Sequence, residues 1–88
     1  MAVLHLVNRA AALDACLAAA RDEDAVLLLE DGVYAAVAAL APARPLHALE
    51  PDVRARGLSA RLADHVTVVD DAAFVRLVEQ HQPVVSWR

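Results

Sequence analysis

Glu30 and Asp31 stand side by side after the apolar run Val26-Leu27-Leu28-Leu29 and directly before Gly32. Neighbouring carboxylates can share a proton or hold a metal ion. No histidine or third carboxylate stands nearby in sequence to complete such a site. A simpler chemistry is structural: Asp31 caps a following helix by accepting a backbone N–H bond, and either carboxylate complements that helix's positive end. Gly32 then turns the chain without a side-chain clash.

Cys16 is the only thiol. As a thiolate it would be a nucleophile or a sulfur-carrying group. However, Leu13, Cys16, Leu17 and Ala20 fall at i, i+3, i+4 and i+7, so Cys16 equally suits the buried stripe of a helix. A lone cysteine excludes an intrachain disulfide and a multi-cysteine zinc site. His5 and His47 each sit between apolar neighbours in a short strand. On adjacent strands they would approach closely enough to share a metal, while a hydrogen-bonded structural role is the simpler reading. Arg54, Arg56 and Arg61 flank Gly57-Leu58-Ser59 and would suit an anion such as RNA phosphate. Glu50, Asp52 and Asp64 offer them partners on a solvated face instead. Trp87 is either an anchor for a partner chain or packing on the domain's own edge.

The elements that position these residues follow from periodicity. Val3 to Val7, Val26 to Leu29, Leu46 to Leu49, His65 to Val69 and Val84 to Trp87 read as strands. The run at Val26–Leu29 is continuously apolar, the pattern of a strand covered on both faces. Helical stripes lie at Leu13–Ala20, Val33–Leu40 (Val33, Ala36, Val37, Leu40) and Phe74–His81. Pro51 to Arg56 is a short helix that Pro51 opens and Gly57 ends. Asp70 or Asp71 caps the last helix, and Pro42, Pro45 and Pro83 interrupt helices. Strands alternate with helices, which predicts an α/β fold: a three-layer α/β/α sandwich around a mostly parallel sheet of about five strands.

The 88 residues fit one domain spanning 1–88. They are 59% hydrophobic but only 3% aromatic, so the core is aliphatic. That apolar content exceeds what so small a domain easily covers, which predicts association with another chain. The net charge of −4 argues against a general electrostatic grip on nucleic acid. No apolar run reaches the length of a membrane span, and no secretory leader is evident, so the expected setting is the cytoplasm. No cofactor or metal is expected.

The segments LHLVNR, EDGVYAA, PDVRARGLS and VTVVDDAAFVRLV, with the terminal SW, occur in an order that resembles the DsrH/TusB family nearly end to end. The resemblance implies a small α/β subunit that assembles with DsrE/TusD-like and DsrF/TusC-like chains into a cytoplasmic heterohexamer passing sulfur as cysteine persulfide. TusBCD-type complexes serve 2-thiolation of the wobble uridine in tRNA, and DsrEFH-type complexes serve dissimilatory sulfur oxidation. LDACLAAA resembles the cysteine-bearing first helix of DsrH-type members, making Cys16 the candidate sulfur-carrying residue. The family's main carrier lies in the DsrE/TusD-like partner, which makes this chain an auxiliary or non-catalytic subunit. Glu30, Asp31, Tyr34 and Trp87 are the candidate interface residues. Two connections, Asn8-Arg9-Ala10-Ala11 and Leu40 to Arg44, are shorter than is usual in the family. The alternative is a homo-oligomeric binding module of the same fold without sulfur transfer of its own.

Overall fold

The structure, a computed structural model, describes residues 2–88. Five strands are joined by three α-helices: β1 Leu4–Arg9, α1 Leu13–Ala19, β2 Ala25–Asp31, β3 Leu46–Leu49, α2 Glu50–Ala55, β4 Val66–Val69, α3 Asp71–Gln80 and β5 Val84–Trp87. Short 3-10 segments at Ala10–Ala12 and Gly32–Ala36 lead into α1 and out of β2. The sheet order is β4-β3-β2-β1-β5, and every pairing is parallel. The expected sandwich is therefore present, with a sheet that is parallel throughout.

The order explains the layers. From β1 to β4 the chain steps one strand at a time in a single direction. Right-handed crossovers then place α1, the 3-10 segment and α2 on one face. The last connection returns across the whole sheet to β5, so the same handedness puts α3 on the other face. Alternate residues of the central strands feed two cores. Val7, Val26, Leu28, Leu46 and Ala48 pack with Leu13, Cys16, Val33, Val53 and Leu58. Leu4, Leu27 and Val69 pack with Phe74 and Leu77 of α3. Val26, Leu27 and Leu28 are all fully buried, as their continuous apolar run predicts. Each such side chain contributes roughly 1.5–3 kcal/mol of transfer free energy.

The cover is uneven. No residue of α3 is fully buried, and its Val75 and Val78 are exposed. Asp70 caps α3 through a 2.8 Å bond that its carboxylate accepts from the Ala73 N–H. Gly57 adopts φ 66 just past α2, the left-handed conformation of a helix terminator.

The stripe Val33–Leu40 does not form an α-helix. Gly32–Ala36 is a 3-10 segment, and Val37 is already extended, bridging antiparallel to Leu62. The backbone groups that a helix would use internally are taken elsewhere. The Ala36 carbonyl accepts from the Ala63 N–H, and the Ala38 N–H donates to the Arg61 carbonyl, at 2.9 and 3.0 Å.

Candidate functional site

β2 ends in a polar cluster at the carboxyl edge of the sheet. Glu30 has φ 51, a conformation non-glycine residues seldom adopt, and its N–H donates to the Asp52 carboxylate at 2.7 Å. That bond links the β2 terminus to α2 and holds the unusual backbone in place. Asp31 does not cap a helix: its backbone is itself helical, and its side chain accepts no bond from a following N–H. Oδ1 of Asp31 instead accepts from Nε of Arg56 at 2.9 Å and lies 2.9 Å from its second terminal nitrogen. A short 3-10 segment offers few free N–H groups to cap, and the guanidinium one element away is the stronger donor. The hydrogen bond and charge of Asp31 push Arg56 further toward its charged form, with Asp52 adding to the effect. Arg54 pairs with Glu50 at 3.0 Å. The arginines at positions 54 and 56 thus form ion pairs on their own domain. Tyr34 stands beside this cluster, 44% exposed.

Gly32 matters for packing, not for dihedral freedom; the left-handed residue of this turn is Glu30. A Cβ on Gly32 would overlap the Val7 carbonyl oxygen and lie 2.9 Å from its carbon. The glycine lets the β2 exit run flat against the backbone of β1.

Cys16 is 0% exposed, enclosed by the core of the α1 face. Burial pushes its thiol up; the nearby Arg44 charge opposes this, and the Asp24 charge adds to it. A buried, protonated thiol is a poor nucleophile.

A buried polar array lies at the opposite end of the strands from the Glu30 cluster. His5 Nε2 is 3.1 Å from Oδ2 of Asp24, and Trp87 Nε1–H donates to His5 Nδ1 at 3.0 Å. An indole nitrogen can only donate, so Nδ1 is the acceptor and Nε2 carries the proton toward Asp24. Asp24, with a side chain only 2% exposed, also accepts from the Arg21 and Val3 N–H groups, each at 3.0 Å. The array has the acid–histidine pairing of a hydrolase but ends on an indole, which is no nucleophile. It fastens β5, the loop before β2 and β1 to one another. Trp87, a candidate interface residue, is partly buried and turned inward, packing against its own core. His5 and His47 do not pair, because β2 lies between their strands. Among the described residues no group of three or more metal-ligating side chains converges. Asp24 ends the charged run Arg21-Asp22-Glu23-Asp24, which by its local pattern is a solvated turn. The signal was available: a histidine inside an apolar strand needs a buried partner.

The Arg21 and Val3 N–H bonds, more than the bond to His5, hold the Asp24 carboxyl well below the usual carboxylate range, against its own desolvation. Because the folded value lies below the roughly 3.9 of an unfolded chain, this stabilisation is complete above that pH. It is lost as pH falls toward the folded value. Asp24→Asn is expected to lower stability at neutral pH and to flatten its pH dependence below about pH 4. Urea midpoints measured across that range test this; an unchanged acid slope would refute it.

Residues 8–84 match the family described as DsrH like protein. The chain belongs to the DsrH family. Within it, the chain is 37% identical over 95 residues to Protein TusB of Pectobacterium parmentieri, covering 97% of this chain and all of that one. It is 42% identical over 82 residues to Protein TusB of Sodalis glossinidius, covering 85% and 86%. Protein TusB of Yersinia pestis strain Pestoides F is 39% identical over the same shares. The crystal structure of the ychN protein from E. coli shares the fold, with a TM-score of 0.70 over 99% of this chain and 100% of that one at 14% identity. The α/β sandwich expected from the strand–helix alternation is therefore the fold observed, and the family match agrees with the resemblance of the motifs. No helix among the described residues is long and apolar enough to cross a membrane.

Proposed function

We propose that this DsrH-family chain is a scaffold subunit of a cytoplasmic sulfur-relay complex, assembling with DsrE/TusD-like and DsrF/TusC-like chains that carry the persulfide. The observation that carries the scaffold role is the complete burial of Cys16, its only thiol. A persulfide must be reached by an attacking thiolate, and nothing can reach this sulfur without opening the core. The exposed apolar side chains supply the motive for assembly: Val75 and Val78 on the thinly covered α3 face, Val84 on β5, and Tyr34 beside the Glu30 cluster. The TusB names of the relatives favour the branch that serves tRNA wobble-uridine 2-thiolation over sulfur oxidation.

The test is co-expression with DsrE/TusD-like and DsrF/TusC-like chains from the same genome, followed by native mass measurement. The expected result is one assembly containing all three chains in equal numbers. A chain that assembles only with itself would instead support the homo-oligomeric module, and one that stays monomeric beside both partners would overturn the assignment.

A further inference from the structure

A concavity of about 210 Å³ opens between α3 and the β3–β4 edge, on the sheet face away from Cys16. His47 and Thr67 are register partners there, and Val69 follows two residues on, on the same face. Ala73, Arg76, Leu77 and Gln80 recur at i, i+3, i+4 and i+7, so one face of α3 closes the other side. Val69, Ala73 and Leu77 make an apolar wall, with the hydroxyl of Thr67, the guanidinium of Arg76 and the amide of Gln80 around it.

The charge of this lining departs from that of the chain. Acids outnumber arginines 12 to 8 in the sequence, yet no carboxylate among the described residues lines the concavity. Arg76 forms no ion pair among the described residues, unlike Arg21, Arg54 and Arg56. His47 Nδ1 is buried and has no partner among the described residues. An unpaired acceptor is better tolerated inside a protein than an unpaired N–H, which places the imidazole proton on Nε2. With Nδ1 sealed, Nε2–H is the polar atom the ring has left to offer. Burial, and secondarily the His81 charge, pushes the His47 imidazole down toward its uncharged form, so the ring offers a hydrogen bond rather than a charge.

We propose that this concavity binds a small organic anion with an apolar body. The anionic head pairs with Arg76 and takes further hydrogen bonds from His47 Nε2–H and the Gln80 amide. The body lies on Val69, Ala73 and Leu77. The volume falls below the roughly 300–1,000 Å³ of drug-sized sites, which suits a ligand of about the size of benzoate.

The test is an NMR titration of the full chain with benzoate and benzenesulfonate as probes, and with benzyl alcohol and benzylammonium as controls of similar shape. Both anions are expected to give saturable shifts at millimolar concentration, confined to His47, Thr67 and the lining face of α3. Arg76→Gln, at an exposed position, is expected to weaken anion binding about tenfold or more. His47→Phe, which keeps the ring and removes the donor, is expected to weaken it less. Arg54→Gln, on α2 across the sheet from the concavity, is expected to leave it unchanged. Absence of saturable shifts, equal binding of benzyl alcohol, or full affinity in Arg76→Gln would each overturn the proposal.

Discussion

Gly32→Ala is expected to destabilise the chain by about 3 kcal/mol or more. The added Cβ would overlap the Val7 carbonyl oxygen and stand 2.9 Å from the Val7 carbon and 3.4 Å from the Arg9 nitrogen. All three are backbone atoms of β1, a strand paired on both sides, by β2 and β5. A flexible side chain would swing away, whereas this strand can yield only by disturbing its ladders. Small domains are stable by roughly 5–15 kcal/mol, so the loss is a large share of the total. Gly57 supplies the control. It has φ 66 and open space where its Cβ would stand, so alanine there meets only the left-handed backbone penalty of about 1–2 kcal/mol. Urea unfolding of the two variants decides the matter: a Gly32→Ala chain as stable as Gly57→Ala would remove the close-approach argument.

The thiol of Cys16 is expected to react with disulfide or alkylating reagents at least about a thousandfold more slowly in the native chain than in urea. Reaction requires opening of the core, and the closed state outweighs the open one by the local stability. Burial also keeps the thiol protonated, which removes the reactive thiolate. Cys16→Ser is expected to weaken folding by about 1–3 kcal/mol, since it places a hydroxyl among Val7, Leu13, Val26 and Leu28 with no partner. Cys16→Ala in an assembled complex is expected to leave sulfur transfer intact. Rapid native labelling, or loss of transfer by a well-folded Cys16→Ala complex, would make this chain a carrier and refute the scaffold reading.

The five strands, the burial of β2 on both faces, a cap at Asp70 or Asp71 and the Gly57 terminator were all legible in the chain, and the structure puts the cap on Asp70. Each depends on contacts within a few residues or on a repeat of two or 3.6. The family resemblance was legible for a different reason, because its motifs lie in order along the sequence. The candidate site was less legible. Asp31 reads as a cap from its neighbours, yet it turns to Arg56, which lies 25 positions away and is brought near only when α2 packs beside the end of β2. The helical stripe from Val33 to Leu40 lost to backbone bonds with residues 61–63. His5 and Trp87, 82 positions apart, meet because β5 returns to pair with β1. The sequence by itself determined the five strands and the three α-helices, because periodicity and turn chemistry are local. Tertiary structure decided the fate of Val33–Leu40 and the partners of Asp31, His5 and Trp87. Those partners come from crossovers that bring distant segments together at the two ends of the strands, and no local pattern encodes that distance.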